Sequence, residues 1–229
     1  MEPWEITLLL FSGLGIFNSL AVAFFFLVIV RRRDGKDVFL SLLLMLFVMQ
    51  ILHALLERFT NTGFPCLSNL YLLGSYLQGP VVFLYLQRNR NPNLRIWPWR
   101  FLGHAVPYLL LGTLKYNFQS PGPLEWVAVY LVGIQSLAYV ILCFFPWRQL
   151  RDEYRAGQQE RFRAVFLFPA FALLWINYPL SGILGTDYQV WETILHSCFV
   201  YYLIFLLVKS PRTRRAKYLF SPVDPDQSR

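Results

Sequence analysis

Seven long apolar stretches, at residues 6–30, 38–57, 67–86, 101–116, 124–145, 162–184 and 188–208, are divided by loops alternately rich and poor in arginine and lysine. The rich loops carry Arg31, Arg32, Arg33 and Lys36; Arg88, Arg90, Arg95 and Arg100; Arg148, Arg151, Arg155, Arg161 and Arg163; and Lys209, Arg212, Arg214, Arg215, Lys217 and Arg229. They hold 19 of the 21 cationic side chains, leaving Arg58 and Lys115 for the opposite side. A polytopic membrane protein keeps its cationic loops in the cytoplasm, and this bias sets its orientation. An odd number of spans and the alternation of charge predict the same topology, with the N-terminus outside and the C-terminus cytoplasmic.

Length and composition support that expectation. A helix needs about 20 apolar residues to cross a hydrocarbon core roughly 30 Å thick, whereas a barrel strand needs only about 10, in alternating pattern. The chain of 229 residues is 56% hydrophobic and only 15% charged, against about a quarter charged in soluble domains. The predicted fold is therefore all-α, a seven-transmembrane helix bundle over residues 1–209, followed by a basic, disordered cytoplasmic tail over residues 210–229. The shortest segment, 101–116, contains Gly103, Pro107 and Gly112, with Trp97 and Trp99 before it as interfacial anchors. Residues 1–5 are acidic and lack the cationic start of a cleavable leader, so the first helix is expected to remain as an anchor.

The formal charge of +8 would suggest nucleic acid in a soluble protein. Sorted by side, it becomes +12 inside and −4 outside. The expected partners are thus the lipid bilayer and anionic lipid at the basic inner loops; direct nucleic-acid binding is not expected. Cys66, Cys143 and Cys198 form no CxxC pair and are read as buried, inert thiols, although Cys66 and Cys198 share a side.

Ionisable and amide side chains inside spans are costly, and each marks a functional hypothesis. Gln50, His53 and Glu57 are three and four residues apart, on one face of the second span; Glu192 and His196 share a face of the last. Should these spans touch, two imidazoles and two carboxylates would meet near the outer surface, a set suited to a divalent metal, a cationic ligand or protons. The plainer alternative leaves Glu57 and Glu192 solvated and the histidines hydrogen-bonded within the bundle. Gln78 of the third span is, with Gln50, a candidate support of the same site, while Asn18, Gln135, Ser136, Asn177 and Ser181 read as links between helices. Gln78-Gly79-Pro80, Pro169 and Pro179 mark expected kinks, and His104 reads as a packing or headgroup contact. HExxH, GxSxG, Walker and GxGxxG motifs are absent, so neither an enzymatic activity nor a cofactor is expected, and the identity of any bound metal stays open.

Several segments together resemble the membrane domain of AraC-type transcriptional regulators with seven-helix sensors. Phe17-Asn18-Ser19-Leu20 precedes the first Arg-rich loop; Leu77-Gln78-Gly79-Pro80 followed by Phe83-Leu84-Tyr85-Leu86 is similar to that family's Gly-Pro segment; residues 101–108 are similar to its His-x-x-Pro segment; and Lys217-Tyr218-Leu219-Phe220-Ser221 follows the last span as in the family. In that family a helix-turn-helix domain follows, whose recognition helix reads a major groove; the sequence to Arg229 contains none. The resemblance implies a bacterial cytoplasmic-membrane, non-enzymatic sensor that signals to a transcription-regulatory partner. A small ion- or proton-coupled carrier and a membrane-embedded enzyme or subunit are the alternatives the residues leave open.

Overall fold

A computed structural model of the protein describes residues 2–30, 36–60, 65–91, 103, 104, 106, 121–184 and 188–209. Every regular element among them is helical: α1 (Pro3–Phe24), continued by a π-helix (Phe25–Val30), α2 (Lys36–Thr60), α3 (Pro65–Arg90), α4 (Pro121–Arg155), a 3-10 turn (Gln159–Arg161), α5 (Phe162–Leu184) and α6 (Tyr188–Lys209). Six of the seven predicted segments therefore form helices. The segment 101–116 falls almost wholly outside the described residues, as does the tail 210–229. Two helical stretches, Pro3–Leu27 and Val38–Thr60, are long and apolar enough to cross a membrane by length and composition.

Local chemistry explains the boundaries. Pro3 occupies the first turn of α1, where its missing N–H costs nothing, and the Glu5 carboxylate accepts the Glu2 N–H at 3.0 Å. The sequence WRQLRDEYR continues α4 to Arg155, past the predicted limit at residue 145. At about 1.5 Å per residue its 35 residues span roughly 50 Å, well beyond a hydrocarbon core. Gly157, at φ 97°, supplies the left-handed turn that ends it.

Neighbours in sequence are neighbours in space. The helices pack in chain order, α6 closes back onto α1, and α2 also packs on α6 across the middle. α2 is consequently central: Leu43, Leu44, Phe47 and Ile51 are buried, together with Val81, Val82 and Leu86 of α3, Phe171 of α5 and Val200 of α6. The short connections at 31–35, 61–64, 156–158 and 185–187 make the helices they join antiparallel. α3 and α4 run parallel, Tyr76 meeting Gln135 and Gly79 meeting Tyr139, and α2 is therefore antiparallel to α6.

α1 is inverted relative to a helix on the surface of a water-soluble domain. Its inward side is made of Leu8, Ser12, Gly15, Ser19 and Ala23, while Leu10, Phe17 and Phe24, seven residues apart, are 68%, 68% and 64% exposed. Small and hydroxylated residues turned inward, with large apolar ones outward, is the pattern of helices packed in lipid. Ser12 and Ser197 meet at 3.3 Å, and the Tyr201 hydroxyl donates to the Phe11 carbonyl at 2.9 Å. The outward row Ile134, Leu137, Ile141 and Phe145 repeats the pattern on α4.

The two ends of the bundle are held by ions. At one, Arg58 of α2 lies 3.5 Å from Glu5 of α1 and over the Trp4 ring. At the other, Arg161 donates to Glu153 at 2.8 Å and to the Asn89 carbonyl at the last turn of α3. One guanidinium thus ties α3, α4 and the turn into α5. Arg161→Ala is expected to cost about 1–3 kcal/mol through the unpaired groups it leaves and to speed tryptic cleavage after Arg155; an unchanged cleavage rate would show the tie to be idle.

Candidate functional site

Gln50, on the buried side of α2, reaches α3. Its side-chain amide donates to Ser75 Oγ at 2.8 Å, and its carbonyl oxygen accepts from the Gln78 amide. All three residues are at most 2% exposed. Buried amides stay in an apolar bundle only when their donors and acceptors are matched, and this chain matches all but one atom: Gln78 Oε1 has no hydrogen-bond partner among the described residues. Ser75 was missed by the sequence reasoning, although it lies three residues before Gln78 and therefore on the same face.

His53 and Glu57 sit further along α2, toward the Glu5–Arg58 end. His53 Nδ1 lies 3.7 Å from Glu57 Oε2, with the carboxylate half exposed and the imidazole mostly covered. His196 of α6 is buried, its ring centroid 5.3 Å from that of Phe47, which also contacts Phe199 at 4.8 Å. α2 and α6 are thus in direct contact, as a shared layer requires. His196 stands beside Phe47, one turn of α2 before Gln50. The backbone of Glu192 lies one turn of α6 further toward the Glu5–Arg58 end, the direction in which His53 lies; its side chain falls outside the described residues. No three His, Cys, Asp or Glu side chains converge to a metal-sized group among the described residues.

A second polar contact flanks this layer on α3. The Tyr139 hydroxyl of α4 is hydrogen-bonded to His104 Nδ1, so the histidine read as a packing contact has a specific partner. The Tyr139 ring lies so close to Gly79 that an added Cβ would come within 2.8 Å of it. Of the cysteines, Cys143 is buried, as expected, but Cys198 is exposed, because it lies on the side of α6 turned from the bundle. It is a free thiol, so the shared side with Cys66 does not become a bridge.

The described site is therefore a continuous polar path through an apolar core, Ser75–Gln50–Gln78, with His196 across from Phe47 and the His53–Glu57 pair nearer one end. It offers hydrogen-bond donors and acceptors and one carboxylate. No protein-family model matches the chain, and neither does any curated protein.

Proposed function

We propose that the chain is a seven-span membrane sensor, oriented with its N-terminus outside and its C-terminus in the cytoplasm. It binds a ligand at the outer face or within the bilayer and signals to a cytoplasmic, transcription-regulatory partner. The inverted α1, the two helices of spanning length and the one-sided charge support the membrane placement. The similarity of residues 77–86, 101–108 and 217–221 to AraC-type membrane sensors supports the signalling role, and with it a bacterial cytoplasmic membrane. The basic loops face anionic lipid on the cytoplasmic side.

One observation carries the ligand site: a buried amide chain whose Gln78 Oε1 has no hydrogen-bond partner among the described residues and whose Gln50 lies one turn of α2 from the Phe47–His196 contact. A ligand shifts such a bundle only by binding one packing arrangement better than another. Gln50, Gln78, His53, Glu57, Glu192 and His196 are its contacts, and no step of chemical catalysis is assigned to them.

The test is a thermal-shift titration of purified protein with zinc ions and, separately, with a quaternary ammonium compound. A ligand at about 100 times its Kd stabilises by about 2.7 kcal/mol. That gain is expected in the natural protein and is expected to vanish when His53 and His196 are both changed to alanine. An unchanged gain in the double variant removes the site. Flux of the same ion into proteoliposomes would instead favour the carrier, since a sensor moves nothing.

A further inference from the structure

A proline inside a helix has no N–H to give the carbonyl four residues before it, and in a dry core that carbonyl must find another donor. Pro80 frees the carbonyl of Tyr76, and Gln135 Nε2 of α4 donates to that oxygen at 3.0 Å. Pro169 frees the carbonyl of Val165, and Trp147 Nε1, also of α4, donates to it at 2.9 Å. The adjacent Phe166 carbonyl receives the Tyr202 hydroxyl of α6 at 3.0 Å. Two proline breaks on two different helices are thus closed by side chains of the one helix that lies between them. Gln135 and Trp147 are twelve residues apart on α4, which at 3.6 residues per turn puts them on different faces, one toward α3 and one toward α5.

We infer that α4 is a clamp whose Gln135 and Trp147 side chains latch hinges at Pro80 in α3 and Pro169 in α5, so that releasing a latch frees its hinge. Main-chain bonds within a helix are cooperative and hold one another; a single side-chain bond from a neighbour is broken by a small shift of that neighbour. The clamped turn of α3 contains Gln78, between the latched carbonyl of Tyr76 and Pro80, so hinge movement displaces the end of the buried amide chain. Gly79, in the same turn, lets α4 come close enough for Gln135 to reach: its Cα hydrogen faces the Tyr139 ring, with no room for a methyl.

The test is a cycle of Gln135→Leu and Pro80→Ala in the full chain, read by thermal stability and hydrogen–deuterium exchange. Gln135→Leu is expected to lower the folded-to-unfolded ratio about ten-fold, the effect of one buried orphan carbonyl. It should speed exchange in residues 73–86 while leaving α6 unchanged, because the opening is local. Pro80→Ala restores the N–H for the Tyr76 carbonyl, so Gln135→Leu on that background should show neither effect. Should Gln135→Leu fail to fold, Gln135→Asn, one methylene too short to reach, replaces it. Faster exchange spread evenly over all helices, or a penalty that persists on the Pro80→Ala background, overturns the hinge.

Discussion

Gly79→Ala is expected to destabilise the bundle by about 1–3 kcal/mol, the usual cost of forcing one methyl into a filled core. The methyl would come within 2.8 Å of Tyr139 Cγ and Cδ2 and within 2.9 Å of its Cβ. The Cβ of Tyr139 is fixed to the α4 backbone, so rotating the ring away does not remove the clash and the two helices must separate. Separation would also stretch the Gln135 bond to the Tyr76 carbonyl and the Tyr139 bond to His104. Thermal unfolding in detergent measures the loss. On a Tyr139→Gly background all three clashing atoms are gone, and adding Gly79→Ala should cost far less. Equal losses on both backgrounds would place the α3–α4 contact elsewhere.

Gln50→Leu is the second large effect expected. It removes the acceptor of the Gln78 amide, leaving that donor buried without it, and also the donor to Ser75. Each group buried without a partner costs about 1–3 kcal/mol, although bonds between membrane helices average nearer 0.6 kcal/mol when the unfolded reference finds other partners. The larger range applies because both lost partners are at most 2% exposed. Replacing the whole chain with Gln50→Leu, Ser75→Ala and Gln78→Leu removes the orphans as well as the bonds and should recover most of the stability. A triple variant that is stable but unresponsive to ligand would show that the amides are kept for binding. A single Gln50→Leu variant as stable as the natural protein would mean that the bonds do not form.

The helices were legible because a span-length apolar run needs no tertiary context to be recognised. α2, α5 and α6 begin or end within a few residues of the predicted segments, while α4 runs ten residues further, along the polar run after Phe145 that the sequence allows to extend the span into the cytoplasm; Trp147, Leu150 and Tyr154 keep its inner face apolar. The face shared by Gln50, His53 and Glu57 was legible from spacing alone. What Gln50 touches was not, because Gln50–Gln78 pairing depends on the register of α2 against α3, which no local spacing encodes. The same limit hid His196 against Phe47. Pro80 and Pro169 did announce two freed carbonyls, at Tyr76 and Val165, but not that Gln135 and Trp147 would supply both donors. Cys198 was expected inside with the other thiols; its exposure follows from the facing of α6, a property of packing. The sequence segment around His104 showed the histidine but gave no sign of Tyr139, 35 residues on.

The central claim, a bundle crossing the membrane with the Glu5–Arg58 end outside and the Arg161 end in the cytoplasm, is tested most directly by cysteine labelling in sealed right-side-out vesicles. With Cys66, Cys143 and Cys198 changed to serine, single cysteines are placed at Thr60 and at Gln158, both exposed and at opposite ends. A membrane-impermeant maleimide is expected to label Thr60→Cys in intact vesicles and Gln158→Cys only after permeabilisation. Labelling of both in intact vesicles, or of Gln158→Cys alone, would contradict it.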